Sequence, residues 1–132
     1  MIILDTHIWH WWVNQIPEKL PDDTIQLIEE ADEIGVSAIS CFEMAWLMKH
    51  GRIDSKISYN EWFELAGNEK LITFLPVTPS IASKAVSLPE HHKDPHDSII
   101  IATAVLYNSL LISFDKIFPS YNELQGLLIG KQ

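Results

Sequence analysis

Short apolar runs alternate with helix-like segments along this chain, and no other feature of the sequence restricts the fold as much. Apolar runs of this length, bounded by polar or turn-forming residues, are typical of buried strands. The predicted strands are residues 1–4, 34–39, 71–77 and 110–113, with a last short one at 127–129. Strands that alternate with helices predict an α/β domain whose mostly parallel sheet is covered on both faces. We therefore expect a three-layer α/β/α architecture.

Capping residues and prolines mark the expected helices between these strands. Thr6, Asp22 or Asp23, and Ser40 are candidate N-caps, and Asp94-Pro95 is expected to begin a long helix that ends near Asn108. Two further helices are predicted over 59–70 and 80–88. Pro76 indicates that the third strand lies at an edge of the sheet or ends there.

The length of 132 residues suits one domain, and no repeat or linker divides the chain, so we expect a single domain over residues 1–132. Cys41 is the one cysteine, which excludes a disulfide within the chain and favours a reducing, cytoplasmic compartment. We expect no targeting segment and no membrane partner. The longest apolar stretch, Ser98 to Phe114, is interrupted by Asn108 and Ser109 and is too short to span a bilayer.

The charge balance limits how this chain can meet nucleic acid. Nine Lys and Arg oppose eighteen Asp and Glu, which gives a net charge of −9. This balance disfavours a protein that binds a phosphate backbone through bulk electrostatics. Bound divalent cations can reverse the local field, however, so nucleic-acid chemistry stays open.

Four acids occupy equivalent positions in the predicted topology. Asp5 ends the first strand and Asp115 follows the fourth, while Glu43 and Asp97 are expected in the first turns of helices. In a parallel sheet these positions share one edge, where α/β proteins bind ligands. Converging carboxylates repel one another, and Mg²⁺ or Mn²⁺ is the usual compensation. Such ions activate water and stabilise charge during displacement at phosphorus.

Each of these acids also has a purely structural interpretation. Ser40 and Glu43 match a capping box, and Asp94 with Asp97 resembles one. Asp5 and Asp115 are harder to explain in this way, because each directly follows an apolar strand. A zinc site built from His91, His92, Asp94 and His96 is disfavoured, since the spacing is unusual and no cysteine supports it.

The ordered set of motifs resembles PIN domains, and more narrowly the ribonuclease toxins of VapBC-type toxin–antitoxin pairs. The matching segments are Ile3-Leu4-Asp5-Thr6-His7 with Trp9 and Trp12, Ser40-x-x-Glu43, His92-Lys93-Asp94-Pro95-His96-Asp97 continuing into 100–104, and Leu111-Ile112-Ser113-Phe114-Asp115. They run in the family's order across nearly the whole chain. The sequence departs from the pattern at Ser98, where many relatives carry Arg.

The resemblance implies a metal-dependent endoribonuclease that hydrolyses RNA phosphodiester bonds with one or two Mg²⁺ or Mn²⁺ ions. Asp5, Glu43, Asp97 and Asp115 would be the catalytic, metal-binding acids, Asp94 an auxiliary acid, and Thr6 and Ser113 hydroxyls that orient them. It also implies a homodimer and inhibition by a cognate antitoxin protein.

Two alternatives stay open at this point. One is a PIN-like interaction module that has lost catalysis, although all four acids are present. The other is a phosphoryl-transfer hydrolase with an aspartyl nucleophile. The haloacid-dehalogenase pattern requires a second acid two residues after the first, and this position is His7 in Asp5-Thr6-His7.

Aromatic and basic residues suggest further contacts. Trp9, Trp11 and Trp12 cannot all face one side of a helix, so at least one is expected at a partner interface or on the rim of the cleft, with base stacking as the second possibility. The basic residues nearest the predicted active edge, which together can guide an RNA backbone, are Lys49, Arg52, Lys56, Lys93 and Lys116.

Overall fold

A computed structural model describes residues 1–16, 18–53, 58–68, 72–91 and 94–131. In these residues the strands are β1 (Ile2–Leu4), β2 (Ile34–Ser37), β3 (Ile72–Leu75), β4 (Leu110–Ile112) and β5 (Leu128–Ile129). The helices are α1 (Thr6–Val13), α2 (Asp22–Glu30), α3 (Ala38–Lys49), α4 (Tyr59–Asn68), α5 (Pro79–Ser87) and α6 (Pro95–Tyr107). Two short 3₁₀ turns, Phe118–Ser120 and Asn122–Leu124, connect β4 to β5.

The five strands form one sheet in the order β3-β2-β1-β4-β5, and every neighbouring pair is parallel. β1 is the central strand, where Ile2 pairs with Ile34 on one side and with Leu110 on the other. The prediction of a mostly parallel sheet is confirmed. The strand before Pro76 is an edge strand, as the proline indicated.

Two hydrophobic cores cover the two faces of the sheet. Side chains alternate between the faces of a strand, so Ile2 and Leu4 belong to one core and Ile3 to the other. The first core receives side chains of α1 to α4, including the fully buried Trp9, and the second receives mainly α5 and α6. This arrangement is the predicted three-layer α/β/α architecture.

Gly35 is needed where β2 passes its neighbours in the sheet. A Cβ atom at this position would lie 2.9 Å from Leu75 Cδ1 and 3.0 Å from Met1 Sδ. Real Cβ atoms essentially never come within 3.0 Å of another atom, so a larger residue would require the Leu75 and Met1 side chains to shift.

Several helix starts differ from the sequence predictions by a few residues. Asp5, not Thr6, is the N-cap of α1, because its carboxylate accepts the Thr6 backbone N–H at 2.7 Å. Pro21 precedes α2 in place of Asp22 or Asp23. α3 begins three residues earlier than expected, since the Ser37 hydroxyl accepts the Ile39 N–H. The predicted start of α6 at Asp94-Pro95 is confirmed.

Within the described residues, no helix has both the length and the apolar character needed to cross a membrane. Some residues named in the sequence predictions lie outside the described part of the chain, namely Lys56, Lys70, Leu71, His92 and Lys93.

Candidate active site

Asp5 lies at the carboxyl end of the central strand and is held by two short hydrogen bonds. Its Oδ1 accepts the Thr6 backbone N–H, and its Oδ2 accepts the Ser113 hydroxyl, both at 2.7 Å. The residue is only 7% exposed. Burial raises the pKa of Asp5 to about 6, although the Ser113 and Thr6 hydrogen bonds oppose the rise. The carboxylate is therefore fixed in orientation and unusually ready to take up a proton.

Thr6 connects the first helix to α3. Its hydroxyl donates to the Ser40 hydroxyl at 2.9 Å, and both side chains are fully buried. Ser40 does not form the expected capping box, because it lies inside α3 and contacts Thr6 instead. The motif Ser40-x-x-Glu43 thus gives α3 a buried anchor next to Asp5, on the same helix as Glu43.

The first turn of α6 brings Asp94 and Asp97 to the same edge of the sheet. The Asp94 carboxylate accepts the His96 N–H at 2.9 Å and caps the helix, with Pro95 at its first position. Asp97 is 8% exposed. It lies in the first turn of α6, near enough to Asp5 at the end of the central strand for the two carboxyls to repel each other.

The electrostatic surroundings of Asp97 include all the other acids of this edge. Burial is the main reason why its pKa rises to about 8, and repulsion from other acids adds to the effect. These neighbours, in decreasing order of effect, are Asp5, Asp94, Asp115 and Glu43. The structure therefore brings together all four acids that the sequence placed at this edge, with Asp94 as a fifth.

Glu43 faces this cluster from the second turn of α3, because the helix begins earlier than expected. Glu43, Asp94 and His96 each offer one ligand atom, and these atoms lie within 4.8 Å of one another. The His96 ring also contacts Asp94, with Nδ1 3.3 Å from Oδ1. Sequence reasoning considered His96 only for zinc and missed its place beside Glu43, which the spacing of Asp94 and His96 alone does not reveal.

Asp115 approaches from the segment that follows β4. Its N–H donates to the Ser113 hydroxyl at 3.2 Å, and its carboxylate accepts the Ile117 N–H at 2.8 Å. Ser113 thus contacts both Asp5 and Asp115. A depression of about 540 Å³ opens beside Asp115, and its lining includes Lys116 and Lys131. Positive charge accordingly lies next to the acids in spite of the acidic composition.

Two histidines outside the cluster, His91 and His7, contact aromatic rings. His91 packs edge-on against Tyr121, with ring centroids 4.9 Å apart, and exposed His7 tilts against Trp11. Trp9 is buried, whereas Trp11 and Trp12 line an apolar depression with Leu20. One tryptophan of the predicted trio is thus in the core, and the other two reach the surface.

A parallel α/β/α sheet with acids gathered at its carboxyl edge is the arrangement expected of a PIN domain, and the PIN-domain family model matches residues 2–124. The chain belongs to the PIN-domain family. Among curated proteins it is similar to Ribonuclease VapC22 of Mycobacterium tuberculosis, with 36% identity over 121 residues that cover 91% of each chain.

Solved structures show the same fold. A structure titled as VapBC2 from Rickettsia felis bound to a promoter DNA fragment matches with a TM-score of 0.72 and 18% identity, over 98% of each chain. A toxin–antitoxin complex from Klebsiella pneumoniae matches with a TM-score of 0.65 and 18% identity, over 98% of this chain and 96% of the other.

Proposed function

We propose that this chain is a divalent-metal-dependent endoribonuclease and the toxin of a toxin–antitoxin pair. The observation that carries the proposal is the crowding of Asp5, Glu43, Asp97 and Asp115 at one edge of the sheet. A buried carboxyl whose pKa is about 8 is poorly suited to a structural role, because burial and then its acidic neighbours oppose its ionisation. The 36% identity to a protein named as a ribonuclease supports the same activity.

The donor set suits a hard divalent cation. Carboxylate oxygens from four segments are the ligands that Mg²⁺ and Mn²⁺ prefer, and the cation would relieve the repulsion that raises the pKa of Asp97. The His96 nitrogen beside Glu43 and Asp94 is compatible with Mn²⁺ as well. A bound ion would supply Lewis-acid stabilisation of charge on the phosphate and a lower pKa for water.

The residues of the chain would divide the remaining tasks. Asp5 and Asp97, the two buried acids, would hold the ion, with Glu43 and Asp115 completing its surroundings directly or through water. Ser113 would orient Asp5 and Asp115 through its two hydrogen bonds. Thr6 would fix Asp5 through its backbone N–H, and Asp94 would act as an auxiliary acid at the start of α6.

We further propose that the protein is inhibited by a cognate antitoxin protein and forms a homodimer in the cytoplasm. Support for the antitoxin comes from the fold, since matching structures are titled as VapBC and toxin–antitoxin complexes. The single cysteine, Cys41, agrees with a reducing compartment. Copurification with the product of a neighbouring small reading frame, followed by mass measurement of the complex, tests both the partner and the stoichiometry.

The activity is tested by incubating purified protein with defined RNAs in Mg²⁺, in Mn²⁺ and in chelator. Wild type is expected to cleave with metal and to stop with chelator. Asp97→Asn and Asp5→Asn are expected to lose cleavage at least about 100-fold while staying folded, because each removes an acid from the metal site. Asp22→Asn, the same substitution at an exposed site on α2, is the matched control.

The two alternatives give different results in this experiment. A PIN-like module that has lost catalysis would show neither cleavage nor carboxylate-dependent metal binding in calorimetry. A hydrolase with an aspartyl nucleophile would yield a trapped phosphoaspartate. Full cleavage by metal-free Asp5→Asn protein would overturn the proposal.

A further inference from the structure

The exposed face of α3 carries a row of aromatic side chains that the acidic cluster does not use. Phe42 and Trp46 are 58% and 42% exposed, although both are large and apolar. His50 follows after four more residues and is also exposed. Residues four apart lie on the same side of a helix, about 6 Å further along its axis. Buried Ser40 and Met44 lie on the opposite side, towards the core.

The rings of this face are arranged in contact with one another and with a cation. Trp46 stacks on His50, with ring centroids 4.0 Å apart and planes inclined by 21°. His50 Nδ1 lies 2.8 Å from the Trp46 carbonyl oxygen, which fixes the imidazole. The Arg52 guanidinium lies 5.9 Å from the centre of the Trp46 ring, and exposed Lys49 belongs to the same end of the helix.

The other end of the row reaches the acidic cluster. The Phe42 ring lies 5.6 Å from the His96 ring, measured between centroids. His96 in turn groups with Asp94 and with Glu43, the residue that directly follows Phe42 on α3. An RNA strand that contacts Phe42 would therefore lie next to the residues of the acidic cluster.

We propose that Phe42, Trp46, His50 and Arg52 form a binding strip for the single-stranded RNA substrate next to the cleavage site, an inference that rests on the proposed function. Aromatic side chains stack with any base, because every base has a π face, and nearby cations meet the phosphates. Because the chain has a net charge of −9, binding of an RNA backbone requires local cations, and Arg52 supplies one beside the stacked rings.

A second copy of the chain is the competing occupant of this strip. The depression between α5 and α6, where Val86 is 86% exposed, has a mostly aliphatic lining that is better suited to such a contact. The strip differs from that depression in its stacked rings and its arginine. We therefore assign RNA to the strip and use Val86 as the control position.

The test measures binding of a short fluorescein-labelled single-stranded RNA by anisotropy in Mg²⁺, in an Asp97→Asn background that prevents cleavage. Adding Trp46→Ala is expected to weaken binding at least about fivefold, and adding Trp46→Phe to restore most of it. Arg52→Gln is expected to lower the slope of log affinity against log salt by about 0.7. Val86→Ala should change neither quantity. Circular dichroism of each variant verifies that it is folded.

Unchanged RNA affinity in folded Trp46→Ala protein would overturn the inference. The inference would also be overturned if Trp46→Ala converted a dimer to a monomer without loss of RNA affinity. The strip would then be a contact surface between two copies of the chain. The wild-type cleavage assay separates this failure from failure of the proposed function. Cleavage by wild type together with an unchanged KM in Trp46→Ala rejects the strip alone, whereas absence of cleavage by wild type rejects both.

Discussion

Asp97→Asn is expected to make the metal-free protein more stable at neutral pH, although it removes a residue of the site. The pKa of this carboxyl is 3.8 in its ordinary state and about 8 in the folded chain, so the folded state holds a proton that the unfolded state releases. Because the folded pKa is the higher one, wild type loses stability as the pH rises from about 4 to 8. Asparagine has a similar shape and no charge, and does not incur this loss.

The size of the difference in the free energy of unfolding follows from the pKa shift of Asp97. One pKa unit corresponds to ~1.4 kcal/mol, and pH 7 lies roughly three units above the unfolded pKa, which gives an upper value of about 4 kcal/mol. Water around half-buried Glu43, Asp94 and Asp115 screens part of the repulsion. We therefore expect Asp97→Asn to raise the free energy of unfolding by about 2–4 kcal/mol at pH 7.

Urea denaturation in chelator at several pH values measures this difference directly. The advantage of Asp97→Asn should shrink steadily towards pH 4 and should be reversed by Mn²⁺, which stabilises wild type only. Asp22→Asn should follow wild type throughout. An Asp97→Asn protein that is no more stable than wild type at pH 7 to 8 without metal would refute the reasoning, because burial and the neighbouring acids would then not be raising the pKa of Asp97.

Three further predictions concern other contacts. Mn²⁺ at 100 times its Kd should stabilise wild type by about 2.7 kcal/mol in a thermal-shift assay and leave Asp5→Asn unchanged; equal stabilisation of both proteins would contradict Asp5 as a ligand. Ser113→Ala should raise the pKa of Asp5 above about 6 and so weaken Mn²⁺ binding more at pH 6 than at pH 8. Calorimetry at both pH values measures the ratio of wild-type to variant affinity, and the same ratio at pH 6 and pH 8 would contradict this prediction. Gly35→Ala should lower the free energy of unfolding by about 1–3 kcal/mol in urea while leaving Mn²⁺ affinity intact, and a neutral effect would mean that Leu75 and Met1 adjust freely.

The architecture was predictable because its signals are local. Apolar runs and the Asp94-Pro95 helix start gave the alternation of strands and helices, and alternation in a chain of this length leaves few topologies. The strand order in the sheet was not predicted, since several orders satisfy the same pattern. The order depends on packing between distant residues, such as the approach of Leu75 to Gly35.

The four acids were predicted at one edge of the sheet from their places at strand ends and helix starts. The sequence could not predict the hydrogen bonds and contacts that hold these acids in place. Asp5 serves both as the N-cap of α1 and as a member of the cluster, because its two oxygens accept from different donors. The contact of Thr6 with Ser40 and the place of His96 depend on how α1, α3 and α6 meet, which no spacing rule expresses.

The acids of the cluster lie next to the three inner strands, β2, β1 and β4, or on the helices that adjoin them. None of these acids lies on β3 or β5. The exposed margins of β3, such as Thr73, can therefore be altered in the laboratory with little consequence for chemistry at the centre. A reporter group attached at such a position would follow the folded protein while its active edge keeps its composition. Directed variation of these margins is thus a practical way to change solubility or labelling without redesigning the enzyme.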